Sequence, residues 1–144
     1  MADAPVTKPD DRELRALLRD AKVIAIVGLS SKPNRPSYDV AEYLQESGYR
    51  IVPVNPRESE VLGEQAYPSL LDIPGDLRVD VVDVFRRAEE TPEVARQAVA
   101  IGAKALWLQE GIVNEEAAAI AINGGLDLVM GICLKRERAR LKGV

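Results

Sequence analysis

The 144-residue sequence has no histidine and a single cysteine, Cys133. Without histidine, Ser-His-Asp and Cys-His catalysis, histidine metal ligation and phosphohistidine chemistry are all excluded. A lone cysteine excludes a disulfide framework within the chain and fits a reducing compartment. Aromatic residues make up 4% of the sequence, too few for base-stacking platforms. Positive charge is not in excess either. A net charge of −4 and a pI near 5.0 argue against nucleic acid as a partner, since duplex binding uses a basic face. No apolar run is long enough to span a membrane, and the polar start MADAPVTKPDD holds no stretch of signal-peptide length. The expected address is the cytoplasm, with no membrane partner.

Apolar residues make up 47% of the chain, enough for the core of one domain. Residues 1–9 are expected to be a loose N-terminus and 10–144 the folded domain. Asp10 or Asp11 caps a short helix carrying Leu14, Leu17 and Leu18 on one side. The apolar run 23–27 reads as a strand, and a helix follows from about Ser37 to Ser47, stopped by Gly48. Further strands fall at 49–54, 79–85, 103–108 and 126–130. Thr91-Pro92-Glu93 and Asn114-Glu115-Glu116 open the intervening helices with a cap and early acids. Leu134 to Leu141 makes a basic terminal helix, whose cations read as a solvated face complementing its dipole. The region 57–78 reads as loop with at most one helical turn.

Strands alternating with helices imply βαβ units with right-handed crossovers. The expected fold is α/β: a single Rossmann-like, doubly wound parallel sheet of about five strands with helices on both faces. The expected strand order is 3-2-1-4-5, which places a ligand crevice at the C-terminal ends of strands one and four.

The stretch VGLSSKPNRPSYDV at 27–40 gathers Ser30, Lys32, Arg35 and Ser37 ahead of a helix N-terminus, where free N–H groups and the helix dipole favour an anion. Two side-chain cations suit a diphosphate; a capped helix with solvated charges is the plainer reading. The loop is not a dinucleotide fingerprint. Aligning G-x-G-x-x-G on Gly28 puts Ser30 and Pro33 where later glycines belong. The second strand ends in Asn55-Pro56 rather than an acid, and Glu58 comes later in a polar run. The G-x-x-x-x-G-K phosphate loop is also absent.

The segments VGLSSKPNRPS, GYRIVPVNP and GEQAYPSLLDIP, followed by DVFRR at 83–87 and ALWLQEGI at 105–112, resemble the CoA-binding domain family, and more narrowly its small stand-alone members. The similarity runs over roughly 20–135. It implies a fold shared with the N-terminal domain of the succinyl-CoA synthetase α subunit, and coenzyme A as the nucleotide cofactor. Carried over residue by residue, it implies a diphosphate near Gly28, Ser30, Lys32, Arg35 and Ser37, with Asn55 and Pro56 beside the nucleotide. Arg57 would lie near a CoA phosphate, Val84, Phe85 and Arg86 along the adenosine or pantetheine, and Gln109, Glu110 and Gly111 would close the crevice. Each has a plainer reading, Phe85 and Trp107 as core and Arg57, Arg86 and Arg87 as solvated charge.

The last block departs from the family pattern, M-D-R-C-x-x-x-E-H. Gly131 and Ile132 stand in place of Asp-Arg, and Arg138 in place of histidine. Cys133 reads as a small hydrophobe rather than a redox group. Asp39, Asp83, Glu89 and Glu110 are acids near the crevice without a diagnostic pairing. The resulting expectation is a protein that binds CoA or an acyl-CoA without chemistry of its own and holds no metal. Two alternatives stay open: an accessory chain or subunit of an acyl-CoA synthetase, and an NAD(P)-binding protein. A protein partner or homo-oligomer is compatible with either.

Overall fold

The computed structural model describes residues 7–144. In chain order the helices are α1 (Asp11–Asp20), α2 (Pro36–Glu46), α3 (Thr91–Ala100), α4 (Glu115–Asn123) and α5 (Leu134–Arg140). The strands are β1 (Val23–Val27), β2 (Arg50–Val54), β3 (Glu60–Val61), β4 (Glu64–Gln65), β5 (Val81–Val84), β6 (Ala105–Leu108) and β7 (Asp127–Met130). Single 3-10 turns lie at Leu70–Asp72 and Ala88–Glu90. Helix starts follow the expected chemistry: the side chains of Asp10 and Asn114 accept from the Glu13 and Ala117 N–H groups at 2.9 Å.

The five longer strands form one parallel sheet in the order β2-β1-β5-β6-β7. Counted along the chain, this is 2-1-3-4-5, not the expected 3-2-1-4-5. The chain leaving β2 crosses over β1 and pairs β5 with its other side, Ile24 with Val81 and Val27 with Val84. Pro53 gives the physical reason. It has no N–H, so a place in the middle of a sheet would leave a rung unmade, whereas an edge strand tolerates it. Its carbonyl points outward and accepts from the Tyr67 N–H at 3.0 Å. The order therefore reverses between β1 and β5, and the crevice lies over those two strands rather than over strands one and four.

Side chains alternate across the sheet. Ile24, Ile26, Ile51, Val81, Ala105, Trp107 and Val129 pack under α1, α2 and α5. Ala25, Val52, Val54, Val82, Val84, Leu106, Leu108 and Leu128 pack under α3 and α4. Both sheet edges are partly covered: Tyr67 bridges to Val54 on one side and Thr7 to Met130 on the other. The expected loose stretch 1–9 falls outside the described residues over 1–6, whereas Thr7 exchanges two backbone hydrogen bonds with Met130, at 3.2 and 2.7 Å. The small β3–β4 hairpin occupies part of the stretch read as loop. Among the described residues no helix is long and apolar enough to cross a membrane.

Candidate functional site

The loop after β1 has one glycine because one position has no room for more. Gly28 sits at φ +88°, and a Cβ there would stand 2.2 Å from the carbonyl oxygen of Phe85. Its N–H donates to the Val54 carbonyl at 2.8 Å, while the Phe85 N–H donates to Val27, also at 2.8 Å. The chain is thus threaded between the ends of β2 and β5, where the strand order reverses. Beyond it the loop is held by its own hydroxyls: the Ser30 N–H donates to Ser37 Oγ and the Lys32 N–H to Ser30 Oγ, both at 3.1 Å. Ser37 is buried, so its role in shaping the loop is visible in the structure. Arg35 occupies the N-cap of α2 without a side-chain cap, and Pro36 follows at the first turn.

A cavity of about 590 Å³ opens over this loop, lined by Gly28, Ser30, Ser31, Lys32, Arg35, Pro36, Ser37, Asn55, Arg57, Glu58 and Phe85. Among the described residues Lys32, Arg35 and Arg57 form no ion pair, so three cations face the cavity uncompensated by a salt bridge. Asn55 builds the wall. Its Nδ2 donates to the Leu29 carbonyl at 3.1 Å, and its Oδ1 accepts from the Arg57 N–H at 3.0 Å. Ser31 and Glu58 were not anticipated from the sequence. The Ser31 N–H donates to Glu58 Oε2 at 2.8 Å, which closes the two loops on each other and occupies an acid that would otherwise invite a ribose. Only a contact 27 residues apart in sequence reveals that pairing, and no local pattern signals it.

A second cavity of about 620 Å³ adjoins the first, sharing Pro36 and Phe85 and continuing past Asp39, Val40, Gln109, Glu110, Ile112, Cys133, Lys135 and Arg136. Phe85 therefore stands between the two spaces. Gln109 is buried, and its Oε1 accepts from the Leu134 N–H at 3.0 Å, fastening the start of α5 to the end of β6. Glu110 pairs with Arg136 at 2.8 Å, and Lys135 with Asp39 at 2.8 Å. The hydrogen bond that Lys135 donates to the Asp39 carboxylate holds its ammonium above its ordinary pKa. The basic terminal helix is a solvent-facing surface on which Lys135, Arg136 and Arg140 also carry ion pairs. Cys133 is half-buried on the wall of this second cavity.

Other expected site residues lie elsewhere. Val84 is fully buried in the core under α3 and lines neither cavity. Pro56 and Arg86 line a smaller space of about 280 Å³ on the α3 side, where Arg86 pairs with Glu90 at 3.5 Å. Gly111 is exposed at φ +80° and forms part of the turn after β6. Trp107 is fully buried, and its indole N–H donates to the Ile132 carbonyl at 2.8 Å, so it is packing. Asp83 is also fully buried, and among the described residues neither carboxyl oxygen has a hydrogen-bond partner. Burial pushes its carboxyl well above the usual range. Among the described residues no cluster of acids and cysteine could hold a metal ion.

A parallel, doubly wound sheet with a cationic, single-glycine loop at its switch point defines a Rossmann-like domain without the dinucleotide fingerprint. The chain belongs to the CoA-binding domain family, whose model matches residues 22–139. It is 41% identical over 134 residues to an uncharacterized Bacillus subtilis protein, YneT, covering 93% of this chain and 98% of that one. It is 31% identical over 112 residues to the ADP-forming acetate–CoA ligase II of Archaeoglobus fulgidus, covering 76% of this chain but 16% of the ligase. A solved structure of a hypothetical protein from Pyrococcus horikoshii is 42% identical, covers 99% of this chain and 100% of its own, and superposes with a TM-score of 0.91.

Proposed function

We propose that this protein binds coenzyme A or an acyl-CoA across the C-terminal ends of β1 and β5, without chemistry of its own. The observation that carries the reading is the set of three cations, Lys32, Arg35 and Arg57, without ion pairs among the described residues, around a cavity of about 590 Å³ above an α2 N-terminus that no described side chain caps. CoA carries a diphosphate and a 3′-phosphate, and a helix N-terminus with flanking cations suits such groups. The adjoining space past Phe85 has room for a pantetheine arm. Membership in the CoA-binding domain family supports the same ligand. An NAD(P) site is disfavoured, because β2 is followed by Asn55 rather than an acid and the nearby Glu58 is held by the Ser31 N–H. The ligase's activity does not carry over, since the chain matches only 16% of that protein. This chain has no histidine, so a phosphohistidine step is chemically unavailable to it. The cytoplasm remains the proposed location.

Calorimetry with CoA, dephospho-CoA, NAD and NADP tests the reading. CoA should bind tightest. If Arg57 meets the 3′-phosphate, dephospho-CoA should lose about 1.5–3 kcal/mol, the size of a charge-assisted hydrogen bond. NAD binding tighter than CoA would overturn the proposal, and equal affinity for CoA and dephospho-CoA would remove Arg57 from that role.

A further inference from the structure

A separate cavity of about 450 Å³ lies at the opposite end of the molecule, where α1 and α2 terminate and β2 begins. Its walls carry four cations, Arg19, Lys22, Arg50 and Arg138, set around Tyr49 and Leu18, and no acidic side chain. The candidate CoA cavity has three cations and one acid, Glu58. A concentration of cations of this kind is conspicuous in a chain of net charge −4. Arg19 and Arg50 pair with Asp20 at 3.3 Å and Glu64 at 3.9 Å, but both arginine side chains are more than half exposed, and such surface pairs hold side chains weakly. Among the described residues Lys22 and Arg138 form no ion pair.

Arg138 is the informative member. Its guanidinium stands 5.3 Å from the Tyr49 ring centroid and 5.9 Å from that of Tyr43. Its Nε donates to the Tyr49 hydroxyl at 3.1 Å and one terminal nitrogen to the Tyr43 hydroxyl at 3.3 Å. The Tyr49 hydroxyl donates in turn to the Leu18 carbonyl, so the ring and the guanidinium are held in place. A guanidinium has five N–H donors, and a half-buried one is ordinarily matched by a carboxylate or phosphate. Two neutral hydroxyls leave the charge unmatched. The C-terminal ends of α1 and α2 at this cavity attract cations, but together they offset only about one unit of charge. Val144 also lines the cavity.

We infer that this cavity is a second ligand site, for a compact phosphoryl anion such as a diphosphate. Arg138 supplies a fixed, planar donor, and Lys22 and Arg50 supply mobile charge around it. The site is on the far end of the sheet from the CoA cavity and does not depend on that assignment.

The test is a titration of the intact protein with inorganic pyrophosphate and, separately, with ADP, followed by amide resonances and run both with and without saturating CoA. Saturable shifts at Lys22, Gly48 and Arg50, weakened at least tenfold in the Lys22→Gln/Arg50→Gln double variant, support the site. Tighter binding of pyrophosphate assigns it to the free anion, and tighter binding of ADP to a nucleotide-borne diphosphate. Both substitutions are at exposed positions, so the fold should persist. No saturable shift at those amides, or equal affinity in the double variant, overturns the inference. Shifts confined to residues 30–37 would report the CoA cavity alone and would likewise overturn it.

Discussion

Replacing one Cα hydrogen of Gly28 by a methyl group would bring a carbon to 2.2 Å from the Phe85 carbonyl oxygen, at a φ of +88° that other residues adopt only with strain. The obstacle is backbone, so the ends of β1 and β5 would have to part. Gly28→Ala should therefore lower the unfolding free energy by about 2 kcal/mol or more, given 1–2 kcal/mol for the left-handed conformation alone and the clash in addition. Urea denaturation would read it, and a loss under 0.5 kcal/mol would mean that the strand ends yield easily. Arg35, eight residues from the end of β1, should behave in the opposite way. It is exposed, and among the described residues it forms no ion pair. Arg35→Ala should leave stability within about 0.5 kcal/mol and weaken CoA at least tenfold, about 1.4 kcal/mol. Unfolding together with unchanged affinity in the folded fraction would make Arg35 structural. The sequence displayed the chemistry of both residues. What it did not display was the Phe85 carbonyl that makes the glycine obligatory, because that contact is 57 positions away.

At the scale of elements, most boundaries were readable, because each strand is an apolar run between turn residues and each long helix has its cap or early acid. The strand order was less so, although the decisive residue was in view. Pro53 cannot donate, so β2 belongs at an edge, and that places β5 beside β1. The β3–β4 hairpin was hidden by its length, two residues per strand, which is too short for alternation to register. Asn55 shows how such elements become a site. Its side chain joins the Leu29 carbonyl and the Arg57 N–H, while its own N–H donates to the Tyr67 carbonyl at 2.9 Å. Sequence similarity suggested a residue beside the ligand, and the geometry makes it a brace for the two loops that line the cavity. Asn55→Ala should remove two side-chain hydrogen bonds, each worth about 0.5–1.5 kcal/mol. Hydrogen exchange should quicken for amides at 28–31 and 57–58 and stay unchanged in β6 and β7. Uniform quickening across the sheet would show that Asn55 supports the whole domain instead.

Across the whole molecule, the five-stranded sheet separates two apolar layers, and its pattern admits one charged exception. Asp83 takes the place of a core residue in the central strand, paired in register with Ile26 and Trp107, with no partner for either oxygen. Burial raises the carboxyl pKa well above its ordinary value. The folded protein thus keeps a proton that the unfolded chain releases near about 3.9. The stability linked to this group is complete below that pH. It declines as pH rises toward the folded-state value, by up to about 1.4 kcal/mol per pH unit. Several surface acids act in the opposite sense. Hydrogen bonds from Arg140 lower the carboxyls of Asp11 and Glu137, and one from Arg87 lowers that of Glu90, so their contributions fade on acidification. The comparison of wild type with Asp83→Asn cancels those shared groups, because the amide has the same shape and does not titrate. Urea unfolding at intervals from about pH 4 to about pH 7 should show the difference in stability moving steadily in favour of the variant, with a slope that approaches one proton. A difference that stays constant over this range would mean that Asp83 is ionised in the folded state and has found a counter-charge inside the sheet.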